Sequence, residues 1–341
     1  MHLLPRLELQ IKSKHLLIHM INSINGSKSD HLLSWTNSAE IKSALPAGSG
    51  LGLTIGNFDG VHLGHKKLLS DFVEDCKNYN LGSLVLTFDP HPKHVINPRD
   101  PYATRLYPIG DLKTQLQTLN LNHLWVQHFD HKLSLLTPEQ FIDAFLNPLP
   151  IKFLMVGHDF RFGKERAGKI DDLLIWCESK KVPIKIFSPY EIQHKRVSTS
   201  LIKDYLIEGD IETASIFLGR KYSVFGEVVK GQNRGEGIGF PTANLNSPVP
   251  LKNGVYASKL KVANSVYLSI TNVGLRPTVN KNLDLWNKNV ETHVPGEKLD
   301  LYGKTIEVEF HKYLRPEKKF ETLEDLKEQI AKDIARLKSS F

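Results

Sequence analysis

Gly56-Asn57-Phe58-Asp59-Gly60-Val61-His62-Leu63-Gly64-His65 carries the strongest chemical signal in this 341-residue chain. It follows a short apolar run, 51–55, and precedes a helical pattern that extends to about Tyr79. Glycines at 56, 60 and 64 let the backbone approach a ligand closely, and the helix start that follows favours an anionic phosphate. His62 and His65 lie three positions apart, so in a first helical turn both imidazoles face one side and can donate to phosphate oxygens. A Gly-rich turn bearing two surface histidines is the plainer alternative. Two Gly-flanked histidines at one strand-to-helix junction favour a nucleotide site.

Working outward, the runs 83–88, 123–127, 153–156 and 183–187 read as strands, and 111–119, 138–146, 170–179 and a pair within 200–218 read as helices. That alternation implies parallel strands joined by crossover helices, a doubly wound α/β sheet. Beyond Gly219 the texture changes to period-two alternation at 222–229, 254–261, 266–271 and 304–310, broken by Gly, Pro and Asn. This second half is expected to be antiparallel β, a β-barrel or a sandwich. Leu323, Leu326, Ile330, Ile334 and Leu337 then recur at helical spacing and predict an amphipathic terminal helix that packs on it. The expected organisation is a partly ordered lead-in over 1–50, an α/β domain over 51–208, a linker over 209–221 and a β domain over 222–341.

Composition bounds the function classes. Forty per cent apolar and 24% charged residues suit a globular chain and exclude disorder or a collagen-like repeat. The 2 cysteines, Cys76 and Cys177, stand far apart without metal-like pairing, so a reducing cytoplasm is expected. A net charge of +7 suits anionic ligands such as nucleotides as readily as nucleic acid. Lys and Arg are not concentrated with aromatics on one predicted face, which disfavours nucleic acid, and no apolar run approaches the ~18 residues of a membrane helix.

A second chemical stretch is Gly231-Gln232-Asn233-Arg234-Gly235-Glu236-Gly237-Ile238-Gly239-Phe240-Pro241-Thr242-Ala243-Asn244-Leu245. Its glycines, Gly235 and Gly239 among them, can wrap phosphates, and Thr242 and Asn244 offer oxygens to a hard cation such as Mg²⁺. On spacing alone a Gly-rich hairpin is the simpler reading.

The first stretch resembles the HxGH-type nucleotidyltransferases, and within them the adenylyltransferase half of the prokaryotic bifunctional riboflavin kinase/FAD synthetase family. Thr87-Phe88-Asp89-Pro90-His91-Pro92, Val156-Gly157-His158-Asp159-Phe160-Arg161-Phe162-Gly163 and Val197-Ser198-Thr199-Ser200-Leu201-Ile202-Lys203 follow in that family's order. Gly-Phe-Pro-Thr-Ala-Asn at 239–244 is similar to the riboflavin kinase signature, and Gly254-Val255-Tyr256-Ala257, Val290-Glu291-Thr292-His293 and Leu314-Arg315-Pro316-Glu317 also match in order.

The resemblance implies two activities: phosphorylation of riboflavin by MgATP to FMN, then adenylylation of FMN by a second ATP to FAD with release of pyrophosphate. FAD is then a product, not a resident redox cofactor. It assigns His62, His65 and Glu291 catalytic roles, the last as the base toward the ribityl hydroxyl. Gly56, Phe58, Asp59, Gly60, Gly64, Ser198, Thr199, Ser200, Lys203, Gly235 and Gly239 would contact nucleotide. Asp159, Phe160, Tyr256 and Arg315 would contact flavin, and Thr242 and Asn244 would place Mg²⁺.

The chain departs from the family pattern at three places. Lys203 stands where the family has Arg, Glu236 where a basic residue is usual, and 294–297 where an apolar pair precedes Asp-Phe. An FMN adenylyltransferase with a weakened kinase half is therefore the alternative. The family also begins its first motif nearer the N-terminus, so residues 1–19, ahead of Met20, are expected to be dispensable.

Overall fold

The computed structural model describes residues 32–100, 102–229, 240–275 and 287–341. In chain order its elements are β1 (Leu33–Trp35), α1 (Ser38–Ala44), β2 (Leu51–Ile55), α2 (Leu63–Asn78), β3 (Gly82–Asp89), α3 (Pro92–Ile96), α4 (Ile109–Gln117), β4 (His123–His128), α5 (His131–Ser134), α6 (Pro138–Phe145), β5 (Ile151–Gly157) and α7 (Ile170–Lys180). Then come β6 (Ile184–Phe187), β7 (Glu191–Ile192), β8 (Lys195–Arg196), α8 (Thr199–Glu208), α9 (Ile211–Leu218), β9 (Ser223–Val229), β10 (Ala243–Pro248), β11 (Gly254–Val262), β12 (Ser265–Leu275), β13 (Asn287–His293), β14 (Thr305–Arg315) and α10 (Leu323–Lys338).

The first sheet has six strands in the order β1-β4-β3-β2-β5-β6, all parallel. A parallel sheet covered on both faces needs apolar residues at successive positions, and every residue of β2 is buried. One apolar layer on the sheet contains Phe88, Phe141, Phe145 and Trp125, and the other contains Phe72, Leu69, Val85 and Met155. β2 is followed by β3 on one side and flanked by β5 on the other, so strand order reverses between β2 and β5. At such a reversal the carboxyl ends of neighbouring strands diverge and leave a crevice.

The second half closes into a six-strand antiparallel barrel in the order β10-β13-β12-β11-β14-β9. Along β10 and β13, Ala243, Leu245 and Val290 point into the barrel core, while Asn244 and Glu291 lie on the opposite face of the same strands. α10 packs on the outside through Leu337 and Ile334, against Val255, Ala257 and Ile270. Arg315 on β14 ties it down, its guanidinium donating to both carboxylate oxygens of Asp333 at 2.7–3.0 Å.

Residues 33–44 of the lead-in hold β1 and α1: β1 pairs with β4 at the sheet edge, and Ile41 is fully buried. Three-residue β1 is too short for its alternation to stand out in sequence. The expected linker 209–221 contains α9, whose Phe217 and Leu218 share one apolar core with Leu206 and Ile202 of α8 and with Tyr222, Val224 and Phe310 of the barrel. Burying each such side chain contributes about 1.5–3 kcal/mol, so α8 and α9 join the two halves as structure. Residues 1–19, Met20, Gly235, Glu236 and Gly239 lie outside the described residues.

Candidate functional site

A cavity of about 340 Å³ opens where β2 and β5 diverge. Its walls come from Ile55 to Asp59 after β2, from Gly157 to Phe160 after β5, and from Arg196 to Ser200 at the start of α8. His62 and His65 complete it at the start of α2. Two helix N-termini therefore border one crevice, the arrangement that suits phosphate.

The turn is shaped by backbone few side chains tolerate. Phe58 and Val61 carry φ values of 45° and 38°, and Gly60 lies at 80°, a region a Cβ disfavours. His62 is the N-cap of α2, and its Nδ1 accepts from the backbone N–H of His65 at 3.2 Å. With Nδ1 so occupied, the proton of neutral His62 sits on Nε2, leaving that nitrogen as donor. The two imidazoles stack with centroids 3.6 Å apart and planes 15° off parallel, and Phe58 packs edge-on against His65 at 5.3 Å. Burial, then the adjacent ring, holds His62 well below its ordinary value, and burial takes His65 down to about 3. Both are neutral donors at neutral pH. Nδ1 of His65 is buried without a hydrogen-bond partner among the described residues.

Other expected nucleotide contacts divide into two groups. Gly56 and Gly64 line the cavity, and Ser200 is exposed at the α8 start. Asp59, Thr199 and Lys203 border it too, yet their polar atoms are engaged in holding the turn. Asp59 is 3% exposed, and its carboxylate accepts from Leu106 N at 2.8 and 3.0 Å and faces Lys203 Nζ at 3.3 Å. Lys203 also donates to the carbonyls of Thr104 at 2.6 Å and Tyr102 at 3.2 Å, and burial lowers its pKa. The Thr199 hydroxyl donates to Asp59 O at 2.9 Å, while Ser198 caps α8 through Leu201 N. At 2% exposure the Lys203 ammonium reaches Asp59 and the 102–104 loop from the cavity wall.

Asp159 and Phe160 lie in the cavity wall, with Asp159 paired to Arg196 at 2.5 Å and Phe160 stacked on Phe162 at 5.7 Å. Tyr256 and Arg315, also expected at flavin, stand on β11 and β14 of the barrel. Tyr256 is fully buried in the barrel core against Phe310 and Tyr313, its hydroxyl donating to Lys252 O, and burial raises its pKa. Arg315 is taken up by Asp333. His91, Lys93 and Tyr102 are among the cavity residues left unassigned in the sequence. His91 stands inside the Pro-His-Pro stretch, so a signal existed; Lys93 and Tyr102 reach the crevice only because α3 and the following loop fold over it.

On the barrel, Glu291 of β13 pairs directly with Asn244 of β10 and Asn272 of β12, so the three side chains form a row on one face. Asn289 donates to Glu291, and Asn272 donates to Glu317 at 3.2 Å. Asn244 is 8% exposed and donates to Thr242 O at 3.4 Å, and Thr242 itself is exposed. Val294 to Glu297 form a turn at Gly296, with Val294 buried in the barrel core.

Comparison with known proteins matches both halves. A family model described as FAD synthetase matches residues 46–201, and one described as riboflavin kinase matches 218–341. A bifunctional riboflavin kinase/FMN adenylyltransferase of Bacillus subtilis is 34% identical over 82% of this chain and 89% of its own length. The Escherichia coli K12 protein so described is 35% identical over 82% and 90%. The crystal structure of a macrolide-efflux protein from Streptococcus pneumoniae superposes with a TM-score of 0.75 at 23% identity, covering 90% of this chain and 98% of that one, a likeness of fold alone. The chain belongs to the bifunctional riboflavin kinase/FMN adenylyltransferase family, whose two activities produce FMN and FAD.

Proposed function

We propose that the crevice between β2 and β5 carries adenylyl transfer and that the Asn244–Glu291–Asn272 row carries the kinase step. The observation that supports the first most directly is the stacked, neutral His62–His65 pair at a helix N-terminus inside the crevice. An oxygen of the FMN phosphate attacks the α-phosphorus of ATP, the α–β phosphoanhydride bond breaks, and pyrophosphate leaves. His62 Nε2–H and His65 donate to the phosphate oxygens on which charge develops, which lowers the barrier by preorganised hydrogen bonding. Gly56 and Gly64 keep the wall free of side chains, and Phe160 offers an aromatic face to the isoalloxazine.

In the barrel, the ribityl 5′-hydroxyl of riboflavin attacks the γ-phosphorus of ATP, its proton passes to a Glu291 oxygen, and ADP leaves. Asn244 and Thr242 supply oxygens, and among the described residues no cluster of three or more His, Cys, Asp and Glu side chains could hold a metal. That donor set fits Mg²⁺, which is commonly held by one or two protein oxygens together with substrate phosphates. Bound there, Mg²⁺ neutralises phosphate charge. A cytoplasmic location suits this reading: Cys76 and Cys177 are both free and buried, and among the described residues no helix is long and apolar enough to cross a membrane.

Incubating the pure protein with riboflavin, ATP and Mg²⁺ and separating the products should give FMN, then FAD, with ADP and pyrophosphate. Accumulation of FMN without FAD would remove the crevice assignment.

The lowered histidine pKa values also set a pH dependence of stability. The folded state holds His65 at about 3, below the ordinary ~6.5, so across that interval the unfolded chain binds more protons and stability rises with pH. Between about pH 5 and 7, where ordinary carboxylates are already ionised, the denaturant midpoint of the wild type should climb with pH. The climb should be shallower for His65→Gln. Equal slopes would contradict the burial of a neutral imidazole.

A further inference from the structure

The catalytic turn is gripped from the barrel side. Arg220 sits between α9 and β9, with its side chain 20% exposed. One nitrogen, Nη1, donates to Gly60 O at 2.8 Å and Val61 O at 3.4 Å, and the other, Nη2, pairs with Asp111 at 3.1 Å. Its guanidinium carbon lies 4.6 Å from the centre of the Tyr107 ring, and the Tyr107 hydroxyl accepts from Ser223 N, the first residue of β9. The two carbonyls it holds immediately precede His62, in the part of the turn with positive φ.

Close approach marks the same contact from both sides. A Cβ on Gly219 would stand 2.3 Å from Leu63, the first residue of α2, and one on Gly60 would stand 3.6 Å from Leu218, the last residue of α9. The backbone that leads into the barrel therefore rests directly on the start of the catalytic helix. Arg220 is not among the residues that line the cavity.

We infer that Arg220 is a positioning residue for adenylyl transfer, contributed by the segment that matches riboflavin kinase, so that the first active site is completed by the second half of the chain. This rests on the assignment of the β2–β5 crevice to that reaction. Two adjacent carbonyl oxygens aligned in a positive-φ turn repel each other, and a forked cation between them holds the turn and the His62 cap in register. Lysine supplies one point charge and cannot span both carbonyls and the Asp111 carboxylate.

The test compares Arg220→Ala and Arg220→Lys in the full chain, with FMN adenylylation and riboflavin phosphorylation measured separately. Displacement of a catalytic group by about 1 Å costs on the order of 10²-fold, so Arg220→Ala should lose about that in kcat for FAD formation with KM for ATP little changed. Riboflavin phosphorylation should persist in both variants. Arg220→Lys should fall between wild type and alanine, and added guanidinium should restore part of the kcat of Arg220→Ala but none in His62→Ala. If Arg220→Ala does not fold, Arg220→Lys carries the test through its kcat loss at unchanged KM. Wild-type kcat in either variant, or equal loss of both activities in Arg220→Lys, would overturn the inference. Wild-type protein that forms no FAD would overturn the functional reading instead, and the inference with it.

Discussion

Glu291→Gln is expected to lower riboflavin phosphorylation by about 10²- to 10⁴-fold, the usual loss on removing a general base, while FMN and ATP still yield FAD. Glutamine keeps the volume and the hydrogen bond from Asn289 but cannot accept the hydroxyl proton. The converse pair, His62→Ala with His65→Ala, should abolish FAD formation and leave FMN formation intact. The two sites are built on separate backbones: His62 and His65 on α2 beside the parallel sheet, Glu291 on β13 of the barrel. Rates for each half-reaction, measured with riboflavin and with FMN as the starting flavin, give the answer. A Glu291→Gln protein that phosphorylates riboflavin at the wild-type rate would move the base elsewhere, with Glu317, bonded to Asn272 of the same row, the first place to look.

Breaking the Asp59–Lys203 pair should destabilise the protein by about 3–5 kcal/mol, because removing one partner leaves the other charge buried without its counter-ion. The side chains are 3% and 2% exposed, so solvent screening does little to soften the loss. Asp59→Asn keeps an acceptor for Leu106 N and isolates the charge effect; Lys203→Met removes the cation and keeps much of the volume. The double variant should be less destabilised than the sum of the singles, since no uncompensated charge remains. Denaturant unfolding of all four proteins closes the cycle. Lys203→Met unfolding at the wild-type midpoint, with ATP dependence of adenylylation weakened instead, would return Lys203 to the phosphate role that sequence order suggests.

That contrast shows how far residue order reaches. The sheet, the barrel and the terminal helix are legible in one dimension because period-two and helical spacings are properties of neighbours along the chain: expected strand 51–55 coincides with β2, and the expected turn at 56–65 stands at the mouth of the crevice. The histidine pair is equally local, since His62 caps the helix that carries His65. β1 is hard to read for its shortness, and β13 reads as strand-like only over 290–293 because polar Asn and Lys lead into it.

Side-chain allegiance lies beyond that reach. Lys203, Tyr256 and Arg315 each stand in stretches whose order points to a ligand, and folding gives their polar atoms to Asp59, Lys252 and Asp333. A lysine on a helix has the same chain neighbours whether it meets phosphate or a buried carboxylate; only packing, which brings Asp59 and the 102–104 carbonyls around the ammonium and shuts out water, selects between them. The grip of Arg220 on Gly60 and Val61 is of the same kind. It joins residues far apart in sequence across the seam between two halves that each read as independent, and it exists because α8 and α9 bury their apolar faces against the barrel and against Leu106 and Tyr107 together.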